Sequence, residues 1–216
     1  MDPAFAVLFI VILIFSVILH ELAHGYSALW LGDPTAKLEG RLTLNPIPHI
    51  DFFGSILLPG ILLLTNAPLL FGYAKPVPYN PYNLSNQRWG EAFVAFSGAG
   101  VNFIVAIFFG LLIRFAPEIG ITSVTFLGLA LTIVKLNILL GLFNLIPFPP
   151  LDGSKVLAAF LPFGMWQRYM TLTSSFEKYG PIAFIGFLLL FFYVLSAPFQ
   201  ALVGGIVGLL TGIPGL

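Results

Sequence analysis

Residues Pro3 to Leu19 run for seventeen positions without a charged side chain and lead directly into His20-Glu21-Leu22-Ala23-His24. A segment this long and apolar reads as a membrane-spanning helix. The ionisable groups at its end must then be satisfied at membrane depth, by one another or by a metal. Two histidines four apart share one helix face and can offer two imidazoles to one zinc ion. Glu21 lies about 100° round the helix, where it can act as general base towards a water at that metal. The competing reading is a polar helix end that snorkels to the interface.

Composition agrees with the membrane reading. The chain is 58% hydrophobic with a mean hydropathy of +1.00, and only 8% of its residues are charged, against about 25% in soluble domains. Nine basic and nine acidic residues balance, which argues against nucleic-acid binding and against an acidic substrate. Cysteine is absent, so no disulfide or thiolate metal site exists. The histidines are His20, His24 and His49; a zinc site built on the first pair needs a carboxylate or another ligand. The first segment has no basic residue before its apolar run and reads as a retained helix, not a cleaved signal.

Further apolar segments follow at 92–114, 119–146 and 181–197, with a short glycine-rich one at 199–213. Residues 52–72 are apolar but broken at Pro59-Gly60 and at Asn66-Ala67-Pro68, so neither half spans. The polar–apolar alternation within 35–51 suits a short hairpin or interfacial strand. Proline and asparagine from Tyr79 to Asn86 favour a rigid, turn-rich loop. The expected architecture is a single all-α polytopic membrane domain over residues 1–216, with a re-entrant segment and room for a small β-hairpin.

A catalytic zinc site takes three protein ligands and keeps one position open. Asp152, which follows Asn144-Leu-Ile-Pro-Phe-Pro-Pro-Leu and precedes Gly153, is the best third ligand. The prolines break the helix, and broken backbone at membrane depth is tolerated where it lines a buried or wet cavity. Asp152 also suits a helix cap; the membrane context and the unfilled ligand position favour the metal. For Asp152 to reach the histidines, an even number of crossings must separate the two motifs. Spans 92–114 and 119–146 supply two, so 52–72 should dip and return; the competing arrangement has 52–72 crossing fully and the ligands meeting nearer the midplane. Lys37, Arg41, Lys75, Arg88, Arg168 and Lys178 then share one side, with Arg114 opposite. The positive-inside rule makes the crowded side cytoplasmic and the N-terminus external; the expected membrane is that of the cell surface.

With these motifs in place, the chain resembles the site-2 proteases, intramembrane zinc metalloproteases, and most of all their compact branch without PDZ or CBS domains. His20-Glu21-Leu22-Ala23-His24 matches the family's zinc motif, and NLIPFPPLDG, residues 144–153, matches its second motif. Residues 40–59 and 73–84 are also similar to this branch. The resemblance implies one Zn2+ per chain held by His20, His24 and Asp152, with Glu21 as catalytic base. It implies that Asn144 helps to hold the substrate or the oxyanion, and that Asn102 lines the site. Asn102 sits in Gly98-Ala99-Gly100-Val101-Asn102, where the family usually has Gly-Pro-x-x-x-Asn, and Phe52 follows Asp51 where proline is usual. The implied activity is hydrolysis of peptide bonds in or near transmembrane segments of membrane proteins within the lipid bilayer. The other function class is a metal-binding membrane scaffold or transporter without proteolysis, although no inverted repeat of the transporter kind is visible. On the residues alone, Asn102 serves equally well as glue between helices. Lys135 can snorkel or pair with an acid, and His49 can touch the metal, gate the cleft or sit in an interfacial loop.

Overall fold

The computed structural model of the protein describes residues 3–57, 74–178 and 180–213. The described residues contain helices and turns and no strand. Helix α1 (Pro3–Trp30) contains the first apolar run and the histidine motif. A one-turn helix α2 (Thr35–Leu38) follows, then a 3-10 turn at Ile47–His49 and a π-helical turn at Phe52–Leu57. Residues 74–80 have no regular secondary structure and lead through a 3-10 turn (Pro81–Asn83) into helix α3 (Gln87–Arg114). Helix α4 (Val124–Asn144) returns, α5 (Asp152–Phe160) and α6 (Phe163–Lys178) follow, and α7 (Gly180–Leu190) passes through a π-helical turn at Phe191–Leu195 into α8 (Ser196–Thr211).

Four of these helical runs are long and apolar enough to cross a bilayer: Phe5–Trp30, Gln87–Arg114, Val124–Asn144 and Phe184–Thr211. The last corrects the expectation of a span at 181–197 with a separate short segment after it. Pro198 falls in the first turn of α8, where its missing N–H breaks no interior bond, and the π turn before it carries the run onward.

The hairpin expected within 35–51 is likewise replaced by turns. Asp33 accepts the backbone N–H and the hydroxyl of Thr35, which starts the helical turn of α2. Gly40, at a φ of +65°, ends it. Arg41 then folds inward and donates to the Lys75 carbonyl. Of the re-entrant segment expected at 52–72, the structure describes the turn at Phe52–Leu57; residues 58–73 lie outside the described residues. The asparagine–proline loop does form turns: Asn80 accepts Tyr82 N–H and Asn86 accepts Trp89 N–H at the start of α3.

Helices α3, α4 and α8 share a core of Ala106, Ile113, Ala130, Val134, Ile138, Val203 and Val207. Small residues bring the helices close, the usual device where lipid removes the hydrophobic drive between them. A Cβ on Gly110 would stand 2.8 Å from Leu210 Cβ, and one on Gly141 2.6 Å from the Phe103 ring. Outward faces carry large apolar side chains such as Val7, Ile10, Phe108 and Leu189. Lys135 is exposed on the outer face of α4. Contacts from His24 to Val94 and from His20 to Asn102 set α1 and α3 antiparallel. The chain therefore leaves α1 and enters α3 at the same end of the bundle, the end where α4 stops and α5 begins.

Candidate metal centre

The histidines stand on the C-terminal third of α1, nearly buried at 6% and 8% exposure. Asp152 is the first residue of α5, and the preceding Leu151 makes no side-chain cap. Its carboxylate turns to the histidines: Oδ2 lies 3.1 Å from His20 Nε2 and 3.2 Å from His24 Nε2. One ligand atom from each of the three lies within 4.8 Å of the other two. Gly153 permits this placement, because a Cβ there would run into the carbonyls of Leu145 and Ile146.

The opposite ring nitrogens set how the rings face. His24 Nδ1 donates to the Val94 carbonyl at 2.7 Å. His20 Nδ1 donates to Asn102 Oδ1 at 2.6 Å, and that oxygen is fixed as the acceptor because the Asn102 amide nitrogen donates to Asn137 Oδ1 at 2.8 Å. With Nδ1 engaged behind it, each ring turns Nε2 to the Asp152 carboxylate. Two Nε2 atoms and a carboxylate oxygen converging in a buried pocket are the arrangement in which a metal ion could be held. The donor set, two imidazole nitrogens and one carboxylate oxygen, suits zinc. The space above the rings is also kept clear: a Cβ on Gly98 would stand 2.5 Å from His24 Cε1 and 2.6 Å from both Nε2 atoms.

Behind His20 runs a buried polar chain. Asn102 and Asn137 are both fully buried. Asn137 donates onward to Ser16 Oγ at 3.0 Å and to the Ile133 carbonyl at 2.9 Å. Asn102 thus lies behind the metal ligand with both ends of its amide engaged, and Ser16 and Asn137 extend the support across α1 and α4. Sequence reasoning missed Ser16; its spacing of four from His20, which puts both on one helix face, was the available signal.

A cavity of about 180 Å3 opens beside the ligands, lined by Glu21, Asn144, Asp152, Pro150, Pro76, Val77, Tyr79 and Lys155 as well as the histidines. Asn144 ends α4 and spends one amide hydrogen on the Leu140 carbonyl. Glu21 Oε2 accepts the backbone N–H of Val77 at 2.7 Å. Residues 74–80 therefore form a strap over the cavity. Its ends are tied down: Lys75 N–H donates to the His49 carbonyl, Asn80 N–H to Asp33 Oδ2, and Asn83 to Asp33 Oδ1. His49 itself is buried and Nε2 donates to the Thr43 carbonyl at 2.9 Å; it braces the loop under the strap and is not in the metal cluster. Val77, Tyr79 and Lys155 were not singled out from sequence. Lys155 follows Asp152 by three residues on one helix, a spacing that puts both on one face.

No protein-family model matches the chain, and no solved structure matches it significantly. Curated relatives do. It is 39% identical over 187 residues to "Putative zinc metalloprotease YwhC" of Bacillus subtilis (strain 168), an alignment covering 84% of this chain and 78% of the relative. It is 31% identical over 156 residues to "Zinc metalloprotease MJ0392" of Methanocaldococcus jannaschii, covering 72% of this chain and 34% of that protein. It is 28% identical over 142 residues to "Putative zinc metalloprotease Rip2" of Mycolicibacterium smegmatis, covering 64% and 51%. With its cluster of two histidines and an aspartate set among four helices able to span a membrane, the chain belongs to a family of zinc metalloproteases related to the site-2 proteases.

Proposed function

We propose that this protein is a zinc-dependent intramembrane endopeptidase of the compact site-2 protease kind, a single domain that cuts peptide bonds in or near transmembrane segments of membrane proteins. One observation carries the reading: two imidazole Nε2 atoms and a carboxylate converge at a cavity whose wall also holds a glutamate outside the ligand cluster, Glu21.

His20, His24 and Asp152 would hold the metal, one per chain. When bound, zinc supplies Lewis acidity, polarising the peptide carbonyl and lowering the pKa of water. Glu21 has one carboxylate oxygen fixed by Val77 N–H; the other accepts the water's proton and passes it to the leaving amine. Asn144 offers its remaining amide hydrogen to the carbonyl oxygen as that oxygen gains charge. Asn102 acts as a positioning residue, holding His20 in the tautomer that leaves Nε2 free. A substrate helix must unwind locally, because its own hydrogen bonds shield the carbonyl.

The proposed orientation puts the N-terminus outside the cell and the cavity towards the cytoplasm, in keeping with the positive-inside rule. Cysteine introduced at Asn80 should then be labelled from the cytoplasmic face of sealed vesicles; labelling from outside would reverse the orientation.

The decisive test is Glu21→Gln. Purified protein and variant are mixed with a panel of single-span transmembrane peptides. The wild type should cleave at least one peptide, lose that activity to a chelator and recover it with zinc. The variant should keep its zinc and lose several orders of magnitude in rate, because water activation and proton delivery fail together. Near-normal cleavage by the variant would move the base elsewhere. A wild type that binds zinc and cleaves nothing would make the protein a metal-binding membrane scaffold.

A further inference from the structure

One charged group at the cavity has no part in the mechanism so far. Lys155 lines the cavity one helical turn beyond Asp152. Its ammonium donates to the Tyr79 hydroxyl at 3.0 Å and lies 5.1 Å from the centre of the Tyr79 ring. Tyr79 in turn donates to Glu91 Oε1 on α3. Among the described residues, Tyr79 is the only hydrogen-bonding partner of Lys155, so two of the three ammonium hydrogens are unspent.

An unspent ammonium is unusual in this setting. Burial favours the neutral amine, yet the Tyr79 hydroxyl and the Asp152 and Glu91 carboxylates outweigh it and hold the Lys155 pKa above the ordinary lysine value. The charge is therefore retained. A purely structural tie to the strap would need one donor and no charge; a glutamine or a serine would serve. Lys155 lines the same cavity as Glu21, Asn144 and Asp152, the space that a peptide carbonyl must enter.

We propose that Lys155, braced against Tyr79, is a catalytic residue that donates to the substrate carbonyl oxygen as the tetrahedral adduct forms, acting as a second electrophile beside Asn144. No covalent bond to Lys155 forms. Water adds to the carbonyl carbon, its proton goes to Glu21, and the electron pair displaced onto the oxygen is met by the ammonium. This inference rests on the protease reading and adds to it a cation whose strongest interaction is with the transition state.

The test uses the full-length zinc-loaded protein and whichever transmembrane peptide of the panel it cleaves fastest. Lys155→Gln should lower kcat about 100-fold with KM changed less than about threefold, and zinc content should be unchanged. Lys155→Arg, which keeps charge and donors, should recover at least about tenfold of that loss. Tyr79→Phe removes the brace only and should cost less than about tenfold. A second readout needs no turnover. A phosphinic isostere of the same peptide, a stable anionic mimic of the adduct, should bind Lys155→Gln about 10- to 100-fold more weakly than wild type. The uncleaved amide, measured on Glu21→Gln with and without the Lys155 change, should bind equally. The proposal is overturned if Lys155→Gln retains kcat within threefold, if it loses zinc, or if Tyr79→Phe reproduces its whole effect. If the wild type binds zinc and cleaves nothing, while a phosphinic isostere of a panel peptide still binds in a Lys155-dependent way, the protease reading falls and the anion-binding role of Lys155 stands.

Discussion

The two sides of the cavity are built by opposite means. On the ligand side, regular helices α1, α3 and α4 present side chains to one another, and every polar group behind His20 is answered by another side chain: Asn102, then Asn137, then Ser16. On the strap side, residues 74–80 have no regular structure and are held by backbone amides donated to side chains and carbonyls far away in sequence, Val77 to Glu21 and Asn80 to Asp33. The ligand side fixes where a metal can be. The strap side fixes where the base points. A helix bundle is stiff against a shift of a few tenths of an ångström, whereas a strap pinned at a few amides can yield. Substitutions on the two sides should therefore fail in different ways, the first by losing metal, the second by keeping metal and losing rate.

The largest effect is expected at Gly98. A methyl there must overlap His20 Nε2 and both nearby His24 ring atoms, and those rings are clamped from behind by Asn102 and the Val94 carbonyl. Gly98→Ala should lose zinc by elemental analysis, and cleavage should fall to background. Full zinc content in that variant would show the ligand side to be as pliable as the strap and erase the contrast.

Asn102→Leu comes next. It removes the acceptor that holds the His20 proton on Nδ1 and leaves the Asn137 carbonyl oxygen without its donor. Zinc affinity, measured by chelator competition, should drop about 10- to 100-fold, with rate recovering at saturating zinc. A rate defect that saturating zinc does not cure would give Asn102 a role beyond holding the ligand.

The strap side is probed by Val77→Pro, which deletes the N–H given to Glu21 in a segment already rich in proline, set against Val77→Ala as the control for the lost buried side chain. Zinc should stay bound while kcat falls about tenfold, with Val77→Ala, which keeps the N–H, near wild type. Zinc loss in the proline variant would mean that the strap also shapes the ligand cluster.

The same contrast explains what could be read from sequence. The histidine pair, the glutamate between them and the aspartate after a proline-broken helix are local patterns on regular helices, where a spacing of four or a run of prolines has one geometric meaning. The partner of Glu21 is an amide 56 residues away, and backbone donors have no signature in a sequence. Asn102 was visible as a polar residue in an apolar span, but its depth behind His20 depends on how closely α3 approaches α1, which Gly98 sets. The alternation at 35–44 misled because the Asp33 side chain closes a local turn onto Thr35 there, an effect stronger than a period-two pattern over so few residues. Lys155 stayed unremarked because a lysine after a membrane helix reads as an interfacial anchor until Tyr79 is seen beside it.

Asp33 offers the finest division between the two sides, because it anchors the strap without touching the cavity. It is fully buried. Burial alone would raise its pKa, but hydrogen bonds from Thr35, Asn83 and the Asn80 amide outweigh this and hold it below the usual carboxylate range. A carboxyl with a depressed pKa in the folded protein contributes stability above its unfolded value of about 3.9, and that contribution is lost as pH falls through the folded value. Asp33→Asn has no such proton to gain. At pH 7 the variant should be less stable than wild type by about 1–3 kcal/mol, the scale of hydrogen bonds to a charged group. The gap in thermal midpoint should narrow steadily as the pH is lowered below 4. Zinc content at pH 7 should match wild type, and kcat should fall less than about threefold, since Val77 N–H remains to hold Glu21. A gap that stays constant with pH would mean that Asp33 is not ionised against those donors. A loss of zinc at pH 7 would join the strap to the ligand side, and the division of the cavity into two independently built walls would be wrong.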